Sequence, residues 1–589
     1  MRRKPFVHAC TFLLLTATVF NSAHGAGHFN NGKLSRDERL LPRPYQVSFG
    51  NNADIYTLGA VGLTISPDSF GKTQDSKLQN NFVVATVERF KRSLHLLNST
   101  AQYRRTKYSP LRKENEEGFS RAKLHGPVHV SIEVFVKLSL NEATFKKDLQ
   151  HGVDESYSLQ ILTDGTRAVK VQIESNTVFG TNHAFATLEQ IVGRRDGYGL
   201  VFENLPVVVR DKPQFEHRGL LMDTARHYFP VQQLMRIIDG MALLKLNVFH
   251  WHIADSQSFP FQSKNAPLLG LGAFSPHAVY TRQDIRNIVS YAFSRGIEII
   301  PEIDVPGHAA SWGVGYPNIT VNCDARVAED DRLLEHGVDK VPLNPLLEET
   351  YDVVLSLLDE IFELFPSKFV HLGGDEVDDE CWLSDPKIRD WKEHGPGSKF
   401  NRRWKTELHS IFFRRIAEHT LEAGKTPILW DEALDLRDLP KNTVIQLWRW
   451  WLPGQASRAQ RNGKFRTISS IGYYLDYASN TWEKIYDTIV PYAQSPLTVG
   501  GEACAWNEHA DSDTIENRIF GRLSAFAERF WSSPKLKRDQ RLLPRLSHTI
   551  CRLKKTRGLR IASLFPDYCP TEKLQLAESV QNDRQSEEL

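Results

Sequence analysis

Two adjacent carboxylic acids, Asp375 and Glu376, follow a short apolar run and two glycines. The run Phe369–Leu372 has the composition of a buried strand, so both acids lie where such a strand ends. A protonated carboxyl can donate to a leaving oxygen, and a carboxylate can act as a base or stabilise positive charge. Neighbouring side chains of an extended strand point to opposite faces, so this pair cannot oppose each other across one bond. The pair therefore favours a reaction in which one carboxyl acts on the leaving group and the other has a different task.

Polar and aromatic residues also cluster along several other apolar runs. The set comprises Arg218, His250, Trp251, His252, Asp255, Glu302, Asp304, His308, Trp430, Trp448, Tyr474, Asp476, Trp506 and Glu508. Aromatic faces stack on the apolar faces of sugar rings, and carboxyl groups transfer protons to glycosidic oxygens. A single tryptophan is more often a core residue, and a single carboxylate is usually solvated. Their coincidence at the ends of successive strands indicates a sugar hydrolase.

Eight runs in the second part of the chain have the short apolar pattern of strands buried on both faces. They are Arg218–Asp223, Val248–Ile253, Glu298–Ile303, Phe369–Leu372, Pro427–Trp430, Val444–Trp448, Thr467–Tyr474 and Thr498–Cys504. Amphipathic helical patterns separate several of them: Val231–Leu244, Arg282–Arg295, Glu349–Phe365, Arg403–Ala423 and Ile515–Phe530. This alternation predicts a (β/α)8 TIM barrel, which gathers its active site at the carboxyl ends of its strands. A doubly wound open sheet is the alternative.

We expect four segments: a signal peptide at 1–25, an N-terminal domain at 26–212, the catalytic barrel at 213–569 and a polar tail at 570–589. The N-terminal domain combines strand-like and helical runs, which predicts a smaller α+β or α/β fold. The strand-like runs are Val128–Phe135, Tyr157–Leu162, Ala168–Glu174 and Leu200–Val209, and the helical runs are Asn81–Leu97 and Thr181–Val192. Between them, the charged and glycine-containing segment 103–123 predicts an exposed loop.

The first 25 residues have the layout of a cleavable secretory signal, with Arg2, Arg3 and Lys4 before an apolar run and small residues after it. A buried N-terminal helix or a membrane anchor is the alternative, although the run is shorter than the roughly 20 residues of a membrane span. Glycosylation sequons at Asn98 and Asn318 agree with the secretory pathway, ending in the lysosome, the vacuole or the exterior. The net charge of +2 gives no indication of a nucleic-acid partner.

The motif HLGGDE at 371–376, followed by Cys381 and Trp382, closely resembles the strand-four signature of family 20 β-N-acetylhexosaminidases. The resemblance continues through RGL at 218–220, HWHIAD at 250–255, PGH at 306–308, GGEACAW at 500–506 and DESY at 154–157. It covers nearly the whole chain after the signal, and the eukaryotic lysosomal-type enzymes, of the β-subunit kind, are the most similar. The family implies a TIM barrel and the removal of terminal N-acetylhexosamine residues.

The resemblance implies roles in a retaining, substrate-assisted hydrolysis with an oxazoline-type intermediate. Glu376 would be the general acid and then the base, while Asp375 would orient the acetamido group whose oxygen attacks the anomeric carbon. Tyr474 would hydrogen-bond that group, and Asp255 with His308 would tune Glu376. The sugar-binding residues would be Arg218, Trp430, Trp448, Asp476, Trp506 and Glu508.

The cysteines and the partners follow from the same resemblance. The five cysteines after the signal indicate two bridges and one free thiol without assigning pairs. The family implies the bridges Cys323–Cys381 and Cys551–Cys569, with Cys504 free. It implies no metal and no cofactor, glycoprotein, glycolipid or chitin oligosaccharides as substrates, and a homodimer.

Two other functions fit parts of the pattern. His250 and His252 lie on one face of a strand and could form half of a metal site. A metallohydrolase would need further histidines near strands five and six, where Trp430 and Trp448 stand instead. A catalytically inactive glycan-binding protein would use the same aromatic walls, although it has no need of a proton donor such as Glu376.

Overall fold

The computed structural model describes residues 40–50, 55–65, 74–99, 130–138, 152–163, 169–195, 199–323, 341–533, 535–564 and 569. The expected signal peptide, the segment 103–123 and the polar tail lie outside these residues. Within them, no helix is long and apolar enough to cross a membrane.

The N-terminal part of the chain forms an eight-stranded mixed sheet in the order β1-β8-β4-β5-β3-β2-β7-β6. Its strands are β1 Gln46–Phe49, β2 Ile55–Ile65, β3 Val130–Leu138, β4 Tyr157–Thr163, β5 Val169–Ser175, β6 Gly193–Arg195, β7 Gly199–Glu203 and β8 Val207–Asp211. The predicted single strand Leu200–Val209 is wrong, because the segment around the cis bond Leu205–Pro206 separates β7 from β8. Sequence reasoning also missed β1, β2 and β6.

The second part of the chain forms a closed barrel of eight parallel strands, which confirms the predicted fold class. The strands are β9 His217–Asp223, β10 Val248–Ala254, β11 Glu298–Ile303, β12 Phe369–His371, β13 Thr426–Trp430, β14 Val444–Leu447, β15 Arg466–Ser469 and β16 Thr498–Ala505. Closure comes from the pairing of β16 with β9, where Gly501 lies opposite Arg218. An open doubly wound sheet would lack this pairing. The seventh barrel strand, β15, ends at Ser469, five residues before the predicted end at Tyr474.

Helices surround the barrel and cover the N-terminal sheet. They are α1 Gln74–Ser99, α2 Val178–Ile191, α3 Val231–Leu243, α4 Arg282–Phe293, α5 Trp312–Gly315, α6 Glu348–Leu364, α7 Asp379–Trp382, α8 Pro386–Glu393, α9 Trp404–Glu422, α10 Gln455–Gln460, α11 Trp482–Asp487, α12 Ile515–Trp531 and α13 Leu542–Arg557. The amphipathic pattern of each long barrel helix places its apolar face on the strands. A capping box at Thr281 and Asp284 begins α4.

Inside the barrel, an apolar layer supports a polar one. Seven strands each contribute one side chain to a buried cluster: Val248, Ile300, Phe369, Ile428, Val444, Ile468 and Val499. Side chains two positions further along a strand point the same way, and there the interior carries His250, Glu302, His371 and Trp430. The apolar layer therefore closes the barrel floor and holds charged groups near the carboxyl ends of the strands.

Two disulfides, Cys323–Cys381 and Cys551–Cys569, connect segments of this domain, with Cα–Cα distances of 5.4 and 5.5 Å. Cys381 lies in α7, directly after the turn that carries Glu376. Cys504 is a free, buried cysteine in β16. These are the pairs that the family resemblance implied.

Candidate active site

A sharp turn after β12 depends on two glycines. Gly373 and Gly374 have φ angles of 64° and 103°. A Cβ atom on Gly373 would lie 1.8 Å from Oδ1 of Asp304, and one on Gly374 would lie 2.6 Å from an aromatic ring. Glu376 also has a positive φ, 47°, which is strained for a residue with a side chain and is typical of functional sites. The turn takes Asp375 and Glu376 out of the strand pleat, so both side chains approach the same imidazole.

That imidazole belongs to His308, yet the two acids have different environments. Nε2 of His308 lies 3.8 Å from Oδ2 of Asp375 and 3.9 Å from Oε2 of Glu376. Asp375 is only 8% exposed, whereas the Glu376 side chain is 40% exposed. Burial and the neighbouring charge of Asp304 raise the pKa of Asp375 well above its usual range. Glu376 can therefore act on a substrate group at the solvent-exposed mouth of the site, and Asp375 on a substrate group inside it.

A buried carboxylate holds His308 from the other side. Oδ1 of Asp255 lies 3.1 Å from Nδ1 of His308, and its Oδ2 contacts His252 and Arg226, each at 2.9 Å. Burial would lower the pKa of His308, but the charge of Asp255 outweighs it and raises that pKa to about 9. At neutral pH a charged imidazolium thus lies beside both acids and stabilises whichever of them is ionised.

Glu302 connects this relay to the aromatic part of the site. Its carboxylate accepts hydrogen bonds from Nδ1 of His252 at 2.6 Å and from Nε1 of Trp430 at 2.9 Å. Its oxygens also lie 2.9 Å from Nδ1 of His371 and 3.1 Å from Nε2 of His250. Burial would raise the pKa of Glu302, but the three histidines outweigh it and hold that pKa well below its usual range. One fully buried charge thereby fixes both the indole of Trp430 and the imidazole that contacts Asp255.

Four aromatic side chains meet above β13, β14 and β16. The rings of Trp430 and Trp506 lie 6.1 Å apart, and those of Trp448 and Tyr474 lie 6.2 Å apart, nearly parallel at 26°. Tyr474 lies beyond the end of β15, and an isolated β-bridge between its backbone and that of Cys504 holds it beside β16. With Leu221 and Cys504 these rings form an apolar cluster, and the charge of Asp375 helps to raise the pKa of Tyr474, after burial and the charge of Cys504. An aromatic wall near a buried carboxyl suits a small apolar group with one polar end, such as an acetamide.

Two acidic side chains, Glu432 and Asp476, lie near these rings. Nε1 of Trp448 donates to Glu432 at 3.0 Å, and burial raises the pKa of Glu432 to about 7. Asp476 follows Tyr474, and burial, reinforced by the charge of Glu508, raises its pKa to about 7. Both Asp476 and Glu508 can accept hydrogen bonds from sugar hydroxyls.

Comparison with known proteins identifies the family. Residues 215–534 match the family described as "Glycosyl hydrolase family 20, catalytic domain", and residues 40–191 match "beta-acetyl hexosaminidase like". The beta-hexosaminidase subunit beta of Homo sapiens is 36% identical over 432 residues, which cover 72% of this chain and 74% of that protein. Beta-hexosaminidase 1 of Arabidopsis thaliana is 35% identical over 427 residues, 69% of this chain and 74% of that protein. Among solved structures, the chitobiase of Flavobacterium johnsoniae is similar, with a TM-score of 0.68 and 29% identity over 88% of this chain and 73% of that one.

The chain belongs to glycosyl hydrolase family 20. It is a glycoside hydrolase of the β-N-acetylhexosaminidase type, as the sequence predicted. Hydrolases of this family use the acetamido group of their substrate as the nucleophile, which agrees with the solvent-facing Glu376 beside the buried Asp375.

One predicted sugar-binding residue of this family 20 hydrolase is wrong. Arg218 lies near the amino end of β9, at the face of the barrel away from Glu376, and is fully buried. Its guanidinium donates to both oxygens of Glu155, at 2.9 and 2.7 Å, and to the carbonyl oxygens of Phe215 and Lys245. Arg218 therefore joins the barrel to the N-terminal sheet and cannot reach a sugar. The structure brings the other ten predicted catalytic and sugar-binding residues together at the carboxyl face: Asp255, His308, Asp375, Glu376, Trp430, Trp448, Tyr474, Asp476, Trp506 and Glu508.

Arg226 occupies the place that was expected for Arg218. It follows β9 at the carboxyl end, and its guanidinium lies 3.2 Å from Asp223, 2.9 Å from Asp255 and 3.5 Å from Glu508. It also lies over the ring of Trp506, 5.2 Å from the ring centroid, within the roughly 6 Å of a cation–π contact. The rule that barrel sites form at the carboxyl ends of strands would have selected Arg226 over a residue at a strand's beginning.

The histidines that suggested a metal site contact carboxylates instead. Both nitrogens of His252 are hydrogen-bonded, to Glu302 and to Asp255. Nδ1 of His250 lies 2.6 Å from Glu502. Among the described residues, three groups of histidine and carboxylate could bring ligand atoms within 4.8 Å of one another: His250, Glu302 and His371; His252, Asp255 and Asp304; Asp304, His308 and Asp375. A hydrogen bond joins His252 to Asp255, and ion pairs of 3.1 and 2.9 Å join Glu302 to His250 and His371. In the third group, Nε2 of His308 lies 3.8 Å from both Asp304 and Asp375.

Proposed function

We propose that this hydrolase removes terminal, non-reducing N-acetylglucosamine and N-acetylgalactosamine residues, with Glu376 as the acid and base and Asp375 as the group that orients the acetamide. Glu376 would protonate the glycosidic oxygen while the acetamide oxygen attacks the anomeric carbon, and would then take a proton from the water that opens the oxazoline. Asp375 would accept the acetamide N–H and stabilise the positive charge that develops on it.

The observation that carries this proposal is the contrast between two neighbouring acids around one imidazole. Glu376 is the half-exposed acid and Asp375 the buried one, and His308 lies within 3.9 Å of both. Two separated, opposed carboxylates would instead favour a direct displacement with a carboxylate nucleophile or a base-activated water. Here the buried acid lies near the aromatic wall, which suits an acetamide.

The remaining residues bind the sugar in this proposal. Trp430, Trp448 and Trp506 enclose the acetamide methyl group, and Tyr474 donates a hydrogen bond to its oxygen. The hydroxyl groups at the other end of the ring are bound by Arg226, Asp476 and Glu508. Arg226 lies 3.5 Å from Glu508, whose charge helps to raise the pKa of Asp476. His308, which Asp255 holds, positions Glu376.

Hydrolysis of an aryl N-acetyl-β-glucosaminide tests the proposal, with the matching aryl β-glucoside as the control that lacks the acetamide. We expect hydrolysis of the first substrate alone and strong inhibition by a thiazoline that mimics the cyclic intermediate. Glu376→Gln should lower kcat by about 10²–10⁴-fold while the protein remains folded, because the side chain is half exposed. Equal hydrolysis of the aryl glucoside, or a sugar trapped covalently on Asp375, would contradict substrate assistance.

The charges near the sugar's far end favour neutral substrates. The charge of Glu508 helps to raise the pKa of Asp476, after burial, and the residue that follows Asp476, Tyr477, carries no positive charge. A 6-sulfate within about 4 Å of a carboxylate would be repelled by about 4 kcal/mol at an effective dielectric constant of 20. We therefore propose a preference for N-acetylhexosamine without a 6-sulfate, which competing 6-sulfated and unsulfated aryl substrates would measure.

The cellular setting is part of the same proposal. Asn98 and Asn318 are exposed, so both can carry glycans, and the two disulfides suit an oxidising compartment. We propose passage through the secretory pathway after removal of residues 1–25, and delivery to a lysosome, a vacuole or the exterior. We also propose that the boundary between the N-terminal domain and the catalytic barrel lies near residue 212. Glycoprotein, glycolipid or chitin oligosaccharides would supply the substrate, and two copies would associate. A mass decrease on enzymatic deglycosylation, lost in Asn98→Gln and Asn318→Gln, tests the compartment, and sedimentation tests the dimer.

A further inference from the structure

Two tryptophans of the loop after β14 are exposed, unlike most large aromatic side chains of the barrel. Trp450 is 67% and Trp451 49% exposed. By contrast, Trp251, Trp312 and Trp382 are fully buried in the same domain. Neighbouring exposed indoles mark a binding surface more often than a structural one, because leaving them in water forgoes a large amount of apolar burial.

The exposed indoles continue the aromatic wall of the active site. Trp451 contacts Trp448 edge to face, with ring centroids 5.0 Å apart at 88°. Trp450 contacts Trp451 in the same manner, at 5.9 Å and 90°. Since Trp448 in turn lies beside Tyr474, a series of ring contacts leads from Tyr474, on which the charge of Asp375 acts, out to solvent.

Ion pairs and a turn hold this loop in place. Arg449, which precedes the two indoles, contacts Asp431 at 2.6 Å and Glu432 at 3.5 Å. The backbone N–H of Leu452 donates to the carbonyl oxygen of Arg449 at 3.1 Å, so the two tryptophans form the centre of a turn. A surface that is already ordered loses little conformational entropy when a ligand binds.

The chemistry of the sugar ring indicates which part of the substrate reaches these rings. The acetamido group is on C2, next to the anomeric carbon that carries the leaving group, whereas the hydroxyls of C4 and C6 lie across the ring. The wall that holds the acetamide is therefore adjacent to the leaving-group side of the site, and Trp451 extends that wall outward.

We propose that Trp450 and Trp451 form a binding surface for the second sugar ring of a β-linked oligosaccharide, on the leaving-group side of the scissile bond. The apolar face of that pyranose would stack on the exposed indole of Trp451 or Trp450, as sugars do on tryptophan. This inference rests on the proposed function and narrows its substrate class to glycans with at least one further pyranose beyond the terminal N-acetylhexosamine.

The test compares kinetics on chitotriose with kinetics on methyl N-acetyl-β-glucosaminide, whose leaving group is an alkoxide without a second ring. In Trp450→Ala, which removes a ring that contacts only Trp451 among the aromatic residues above, we expect KM for chitotriose to rise about tenfold. The kcat/KM for the methyl glycoside should stay within about twofold, and Trp450→Phe should recover most of the loss. Tyr45→Ala is the matched control, since Tyr45 is 63% exposed on the N-terminal part of the chain.

Each other outcome separates the inference from the function on which it rests. If the wild-type protein hydrolyses neither substrate, the proposed function fails. If Trp450→Ala leaves chitotriose kinetics unchanged, or affects both substrates equally, the function stands and the second-ring surface is refuted. If sedimentation shows that Trp450→Ala dissociates a wild-type dimer, the two indoles belong to a contact between copies of the chain and the inference is overturned.

Discussion

Arg218→Met and Arg226→Met each remove one guanidinium and keep an unbranched side chain. The two residues lie at opposite faces of the barrel, one near each end of β9. Arg218 lies among protein groups at the amino face, and Arg226 lies among the acids at the carboxyl face. The structure therefore predicts that one substitution lowers stability and the other lowers catalysis.

The cost of Arg218→Met follows from its buried partner. Glu155 would lose two charged hydrogen bonds, keeping the contact with His183 at 2.8 Å and a longer one with Asn247 at 3.3 Å. Removing one partner of a buried ion pair costs roughly 3–5 kcal/mol, because the other charge remains buried. The carbonyl oxygens of Phe215 and Lys245 would also lose their donor. We expect a melting temperature several degrees lower, with kcat/KM of the folded enzyme within about twofold of wild type.

Arg226→Met should lower kcat/KM, because a hydrogen bond to the substrate is lost. A hydrogen bond from a charged donor contributes about 1.5–3 kcal/mol, which corresponds to a decrease of about 10- to 150-fold in kcat/KM. Arg226→Lys keeps the charge near Asp223 and Asp255 but lacks the planar guanidinium. Its kcat/KM should therefore lie between those of the wild type and Arg226→Met. This series of variants separates the loss of a hydrogen bond to the sugar from the loss of the positive charge that balances Asp223 and Asp255.

Two measurements on each variant distinguish an effect on stability from an effect on catalysis: thermal unfolding, and steady-state kinetics on an aryl N-acetylglucosaminide. Wild-type kcat/KM in Arg226→Met would remove this residue from the sugar site. Wild-type stability together with a more than tenfold lower kcat/KM in Arg218→Met would restore the original assignment, and the geometric reasoning would be wrong.

Three further predictions concern charge. Glu302→Gln should lower kcat at least tenfold on an aryl substrate, because Trp430 loses its charged acceptor, and an unchanged kcat would show that this carboxylate only fills space. The pKa of His308 is raised to about 9, so its contribution to stability is complete below its unfolded value of about 6.5 and is lost as the pH rises through 9. Thermal melts between pH 6 and 10 should show this decline, and Asp255→Asn should reduce it; equal declines in both proteins would refute the pairing. Because burial raises the pKa of Asp476 to about 7, discrimination against 6-sulfated substrates should increase as the pH rises through 7, and Asp476→Asn should remove that dependence in competition assays.

Local patterns predicted much of this molecule. The apolar runs of the barrel strands located all eight of them, because strands buried on both faces need uninterrupted apolar composition. The two glycines before Asp375 and Glu376 lie at the catalytic turn, where only glycine fits the positive φ angles next to Asp304. The apolar run had instead predicted that the two acids continue an extended strand. The failures were also local: β15 ends at Ser469 although the apolar pattern continues to Tyr474.

Tertiary structure decided which polar residues share a site. Arg218 and Arg226 are eight positions apart, and the direction of β9 places one at each face of the barrel. The contacts of Glu302 with His252, His371 and Trp430 join side chains that are distant in sequence, and no local pattern specifies such a meeting. The sequence by itself determined where strands form and where the backbone must turn, since these depend on neighbouring residues. Which charges end as neighbours depends on barrel closure, and only the folded chain sets those distances.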